Sequence, residues 1–431
     1  MSTKKLSVII AGAGLGGLAC AIALRRAGHE VTVYEKHTVS HEVGQGIGLW
    51  PNGGRILRHL GLDFEKARTT GMKSTTMVRA DNLEQIRSIA DLTVFEKVFG
   101  IHMHTAYRPD LHAALVELAT AQDGQGPPVR IIDTCGVTVF DAEAGAVALS
   151  DGMSVSADVV VAADGIHSSA PSAVNGVHCP ELEATGTVVH RFTLPASAIL
   201  KDPETADLLR AGPDTNTFYV ASDNTKWLLR YGCRDDGLQN FGLYSLRTHE
   251  GADGLEQRLR FETTKKALIE EMDGFHPNLL KLAAMADEVL PLWRCATREP
   301  LPRLTQGNLV VIGDAAHPVL PHIGLGAVMA IEDAAALGVL FKDIPDDADV
   351  NKTVKHGLGL FEKLRKPRVA VMKYYSDVPF FRDTVEEQRD RAQQYMSAEE
   401  LPADRAGLGP WYMGYDVVAE AEQILRKCLS R

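Results

Sequence analysis

Between Val8 and Glu35 the chain runs through a strand, a glycine turn, a small-residue helix and a second strand, and no other stretch restricts the fold as tightly. It reads Val8-Ile9-Ile10-Ala11, then Gly12-Ala13-Gly14-Leu15-Gly16-Gly17, a small-residue run to Ala27, Gly28, and Val31-Thr32-Val33-Tyr34-Glu35. An apolar run without alternation suits a parallel strand buried on both faces. Gly12 permits the tight turn, Gly14 lets backbone approach a pyrophosphate, and Gly17 allows helix and strand to pack closely. The helix start then offers unpaired N–H groups and partial positive charge to the phosphates. Gly28 stands where a helix stops. Glu35 ends the second strand about twenty residues beyond the glycines, where a carboxylate reaches ribose hydroxyls. Taken as one unit, this stretch predicts dinucleotide binding.

A length of 431 residues allows two or three domains and a large core. A net charge of −11 argues against a general nucleic-acid binder. Six cysteines, scattered without a CxxC pair, point to reduced thiols. Neither a signal peptide nor an apolar run of membrane-spanning length is expected, so the expected location is cytoplasmic.

Further along, Gly44, Gly46 and Gly48 alternate, suiting a chain that runs against a flat ligand or a turn-rich loop. A helix is expected over 52–62, strands over 77–99, and a helix from Arg108-Pro109 carrying Leu111, Leu115 and Leu118 on one face. A short strand at 129–132 precedes a meander at 137–140, 146–149 and 153–156. Val159 to Ala162 is a second buried strand, ending in Asp164-Gly165. The runs 187–193, 217–221, 226–231 and 240–246 alternate and predict an antiparallel sheet covered on one face. Residues 251–285 read as helical. Leu309-Val310-Val311-Ile312-Gly313-Asp314 returns to the parallel pattern, a helix follows over 325–340, and the helical remainder breaks at Lys366-Pro367. The fold class expected is α/β: a discontinuous Rossmann-type domain, an inserted antiparallel sheet domain and a C-terminal helical region.

The second informative stretch is Gly313-Asp314-Ala315-Ala316-His317-Pro318, continued by Pro321-His322-Ile323-Gly324-Leu325-Gly326-Ala327. Asp314 either meets a ligand at the strand edge or caps a helix. Gly324 and Gly326 open a long helix whose N–H groups suit an anion. With Gly12-x-Gly14-x-x-Gly17 and Asp164-Gly165 in the same order, the chain resembles the single-component FAD-dependent aromatic hydroxylases of the p-hydroxybenzoate hydroxylase fold. Arg298-Glu299-Pro300-Leu301-Pro302-Arg303 and Ile331-Glu332-Asp333 fit the same resemblance, and the late Trp411-Tyr412-Met413-Gly414-Tyr415-Asp416 looks like the tail of fungal salicylate-hydroxylase-like members.

That resemblance implies an FAD-binding domain from 1–75, 104–178 and 294–343, a substrate domain from 76–103 and 179–293, and a helical region over 344–431. It implies FAD contacts from Gly12, Gly14, Gly17, Glu35, Gly48, Arg108, Asp164, Asp314, Gly324, Gly326 and Ala327, with Pro318 beside the isoalloxazine. The implied reaction uses NAD(P)H and dioxygen to hydroxylate a phenolic or other activated aromatic through a hydroperoxyflavin. Leu325 and Val328 replace the Gln and Asn common in relatives, and no Arg follows Asp164-Gly165. A catalytically silent FAD-binding protein, an epoxidase and a dearomatising monooxygenase stay open as alternatives.

Strand alternation puts Trp227, Leu229 and Tyr231 on one face and Val189, Arg191 and Thr193 on another. Arg191 and Tyr231 match, at family level, strand positions that line substrate pockets, so they are the catalytic candidates with Pro318. His102-x-His104 has the spacing of a metal pair but lacks further ligands, and no metal is expected.

Overall fold

The computed structural model describes residues 3–41, 44–246, 259–379 and 385–429. Its organising layer is a six-stranded sheet ordered Thr305–Gln306, Leu309–Val311, Val159–Ala162, Ser7–Ala11, Glu30–Tyr34 and Arg130–Ile132. All neighbours are parallel except the edge strand Thr305–Gln306. Every residue from Val159 to Ala162 is apolar and buried, as a parallel strand covered on both faces requires. Helix Leu15–Arg26 lies against helix Gly326–Leu340 at small-residue contacts. A Cβ on Gly16 would fall 2.9 Å from that of Ala330, and one on Gly338 would fall 2.8 Å from that of Ala23.

An eight-stranded sheet forms the second layer, in the order Arg260–Thr264, Val289–Arg298, Leu182–Pro195, Leu238–Leu246, Lys226–Cys233, Thr215–Val220, Ser74–Arg79 and Gln85–Asp91. It is antiparallel except where Thr215–Val220 runs parallel to Ser74–Arg79. That exception to the expected antiparallel sheet arises because these strands are joined by a long excursion through the other sheet, which a parallel pair requires. The expected boundaries at 75/76 and 293/294 fall inside Ser74–Arg79 and Val289–Arg298, so the sheet's own margins lie at Ser74 and Arg298. One face is closed by helices Lys265–Glu271 and Pro277–Ala283, with Phe192 stacked on Phe241 at 4.9 Å. The other face turns toward the nucleotide-type sheet.

Three sequence expectations need correction. Part of the expected helix 251–285 lies outside the described residues, and Arg260–Thr264 within it is an edge strand held by Val289–Thr264 pairing. The end of the expected strand region 77–99 is helix Phe95–Phe99, stopped at Gly100. Finally, the helix Val350–Ser376 runs straight through Pro367. A proline there removes one intrahelical hydrogen bond, but flanking arginines pin the helix from both sides. Arg365 Nε and Nη2 lie 2.7 Å and 2.8 Å from Asp333 and Glu332. Arg368 Nη2 lies 3.4 Å from Glu332, and its guanidinium sits 4.2 Å from the ring centres of both Trp411 and Tyr415. None of the described helices is long and apolar enough to cross a membrane.

The acids Glu332 and Asp333 are buried and depend on these partners. Burial works to raise the pKa of Asp333, but His317, Arg365 and the Gly313 N–H outweigh it and hold the carboxyl below its usual range. Removing one partner of such a pair leaves buried charge uncompensated, at a cost of about 3–5 kcal/mol. Arg365→Met should therefore lower the thermal unfolding midpoint sharply. Adding Asp333→Asn to it, which leaves Glu332 paired with Arg368, should recover part of the loss, a comparison that calorimetry of the single and double variants checks.

Candidate active site

Three walls meet around one cavity of about 1200 Å³. The first is the glycine turn. Gly12 has φ +96°, and a Cβ there would lie 2.6 Å from the Ala163 carbonyl oxygen, so only glycine lets two parallel strand ends lie this close. A Cβ on Gly17 would meet Gly12 O at 2.0 Å, whereas beside Gly14 there is open space. Helix Leu15–Arg26 starts with no side-chain cap and no acid in its first turn, leaving its N–H groups and positive end for an anion. Glu35 accepts the N–H of Ala13 at 2.8 Å and of His37 at 2.9 Å, tying the second strand to the turn. Burial pushes the Asp164 carboxyl pKa up, and its Oδ1 has no hydrogen-bond partner among the described residues.

The second wall is the segment after strand Leu309–Val311. Gly313, Asp314, Gly324, Gly326 and Ala327 all line the cavity. Asp314 opens into it but is enclosed by protein elsewhere, and that enclosure raises its carboxyl pKa against the pull of His317 and Arg108. The segment is anchored from behind: Asp333 Oδ2 accepts the Gly313 N–H at 3.0 Å and contacts His317 Nε2 at 2.6 Å. Helix Gly326–Leu340 also begins without a side-chain cap. Trp50 closes this side, donating from Nε1 to Ile323 O at 3.0 Å and meeting Tyr412 edge-on at 5.5 Å.

The third wall is a face of the large sheet. Register aligns Arg191, Gly242, Leu229 and Phe218 in one row across four strands, with Asn240, Tyr231, Asn216 and Thr75 in the next. Gly242 puts no side chain between Arg191 and Leu229. Gly46 does the same above Tyr231, because a Cβ there would sit 2.5 Å from the ring, and its N–H donates to Asn240 Oδ1 at 2.8 Å. Arg191 lies beside Tyr231 and is hydrogen-bonded to Tyr244. Burial opposes its charge, but these phenols outweigh that and hold its pKa up. Burial also raises the Tyr231 pKa, keeping that phenol a neutral donor. Tyr244 stacks on Trp227 at 5.0 Å, and His322 meets Trp227 edge-on at 5.7 Å.

The cavity thus brings together Gly14, Gly48, Arg108, Arg191, Tyr231, Asp314, Gly324, Gly326 and Ala327. Gly12, Gly17, Glu35 and Asp164 stand behind the lining and shape it. Pro318 also lies off the cavity, buried and accepting from Thr297 Oγ1 at 3.1 Å, while Val319, Leu320 and Pro321 take the lining positions. The Pro318 carbonyl is committed to the sheet strand Val289–Arg298, which carries Thr297. His102 instead pairs with Glu96 at 3.0 Å, and His104 with Thr69 at 3.0 Å. Sequence reasoning missed Trp50, Met103, Phe218, Tyr244 and Tyr412. The alternation of 240–246 carried a signal for Tyr244, which shares a face with Asn240. Tyr412 reaches the cavity from a distant helix, and its stretch signalled a likeness to relatives but not a place in the cavity.

An FAD molecule fits this donor set. The space at Gly14, the uncapped helix start and the cavity-facing Asp314 are what pyrophosphate and polyol hydroxyls require.

Residues 5–234 and 246–346 match the FAD binding domain family. The chain is 28% identical to the FAD-dependent monooxygenase cfoG of Aspergillus candidus, covering 99% of this chain and 96% of that one. It is 30% identical to hispidin-3-hydroxylase of Neonothopanus nambi, covering 99% and 97%. A solved salicylate hydroxylase substrate complex has the same fold, with a TM-score of 0.74 at 20% identity over 97% of this chain and 98% of that one. Matched to that family over most of its length and to such relatives from end to end, the chain belongs to the FAD-dependent flavoprotein monooxygenases, a family that includes aromatic hydroxylases.

Proposed function

We propose that this monooxygenase hydroxylates a phenolic or similarly activated aromatic ring, with NAD(P)H as reductant and dioxygen as oxidant. One oxygen atom enters the ring and the other leaves as water, with two electrons from NAD(P)H. The observation that carries the reading is the meeting of Arg191 and Tyr231 with the 313–327 segment across one cavity. The names of the relatives, hydroxylases among them, support it.

When bound, FAD supplies the activation of dioxygen. The chain's own residues supply position and charge. A guanidinium at Arg191 favours the phenolate over the phenol, making the ring electron-rich, and the limited solvent access strengthens that effect. Tyr244 holds the guanidinium in place through its hydrogen bond. Tyr231 donates from the next strand but one and orients the ring. Leu229 and Phe218 supply an apolar floor that excludes water. Helix Gly326–Leu340 directs its positive end toward the wall where negative charge develops. Consumption of NAD(P)H and dioxygen across a phenol panel tests the reading, and absence of stimulation by every phenol overturns it.

Gly14→Val is the sharper test of cofactor placement. Its φ of −68° and the open space beside it allow a valine without strain, yet that side chain fills the phosphate approach. The variant should fold with an unchanged circular dichroism spectrum and purify colourless, whereas wild type purifies yellow.

Arg191→Gln should keep FAD and hydroxylate poorly, releasing hydrogen peroxide in place of product. A phenol titrates at about 10 in water, so the defect should shrink as pH rises and the substrate ionises unaided. Product formed per NAD(P)H oxidised, measured across pH, checks this. Full coupling at neutral pH would remove Arg191 from the substrate site.

A further inference from the structure

The cavity does not end at the sheet face. It continues outward into an apolar lobe between two short helices, Phe95–Phe99 and Arg405–Met413. Val94, Phe95 and Val98 line one side, and Leu408, Pro410 and Met413 the other. The helices are clipped together by Arg55, which donates to Phe99 O at 3.2 Å, Met413 O at 3.1 Å and Tyr415 O at 2.8 Å. Phe95 and Phe99 meet edge-on at 5.3 Å, stiffening the first side. Val94 and Val98 are 46% and 63% exposed. Adjacent aliphatic side chains open to water at a cavity mouth mark a surface that takes an apolar ligand.

We infer that this lobe binds an apolar extension on the aromatic substrate, so the enzyme's substrate class is a phenol bearing an alkyl, alkenyl or comparable lipophilic chain. The inference rests on the hydroxylase reading above for the position of the ring. Continuity of lining decides the occupant. Met103 and Phe218 line the same cavity, so a ring held at Arg191 and Tyr231 projects its substituent along an apolar floor into the lobe. The nicotinamide nucleotide is the rival occupant: Arg87 and Arg405 also line the cavity and would draw its phosphates, but the valine, leucine and phenylalanine side chains of the lobe suit an apolar chain rather than a phosphate. Asp404, at the rim, is already engaged in capping the second helix through the Gly407 N–H at 2.8 Å.

Calorimetric titration of the holoenzyme with 4-alkylphenols, from methyl to hexyl, tests the lobe. Each added methylene should tighten Kd about fourfold until the lobe is filled. Val98→Asp, at an exposed position that does not threaten folding, should flatten this dependence, and Val94→Asp should do the same. A wild-type Kd independent of chain length overturns the inference, as does an undiminished dependence in both variants. A changed KM for NAD(P)H with the chain-length dependence intact also overturns it and assigns the lobe to the nucleotide. Turnover of the same series separates the two readings. A flat binding series whose members are hydroxylated removes the lobe alone, while a steep series with no hydroxylated member keeps the lobe and removes the hydroxylase reading.

Discussion

Two buried acids on one helix turn, Glu332 and Asp333, hold the cavity's walls in relation to one another. Asp333 anchors the Gly313 N–H and His317, and so fixes the loop that carries Asp314. Both acids bind Arg365, and Glu332 also accepts from Asn52 Nδ2 at 2.7 Å, on the helix that follows the glycine-rich strand. Arg368 extends the network into the C-terminal region through Trp411 and Tyr415. Buried charges of this kind depend on their partners, because each lost partner exposes a desolvation penalty of several kcal/mol. The C-terminal helices are therefore part of the site rather than an appendage.

Against that rigid frame the large sheet contributes its chemistry through alternation and register. A one-residue slip in any of its central strands would turn Arg191 or Tyr231 away from the cavity. The opposite face prevents slippage by packing Phe192, Leu228, Phe241 and Leu243 against the covering helices. Glycine at 242 and 46 leaves the room that a flat ring needs above this face. Arg191 lies beside the Tyr231 and Tyr244 phenols, and a guanidinium stays charged throughout the working pH range, which suits a group that favours an anionic substrate.

The two ends of the cavity differ in kind. The inner end combines a cation, phenols and glycine backbone, while the outer lobe is lined mainly by aliphatic and aromatic side chains between helices that Arg55 ties together. On the proposed reading, a site polar at the ring and apolar beyond it would discriminate by length as well as by ionisation.

The nucleotide-binding turn and the Asp314 segment were legible in the chain because local chemistry dictates them. Glycine is required at Gly12 by its own φ and by the neighbouring strand end, and buried parallel strands must be continuously apolar. Strand alternation likewise placed Arg191 and Tyr231 on definite faces before any tertiary contact was known. The sequence could not disclose which face met the cavity, because register depends on partners far along the chain. It could not place Tyr412 or the outer lobe, whose residues converge only when distant helices dock. Nor could it carry the helix through Pro367, since local propensity breaks a helix there and only the buried partners of Arg365 and Arg368 hold it intact. Local backbone and burial rules set the nucleotide half of this protein, while long-range pairing of charge and strand decided the half that meets the substrate.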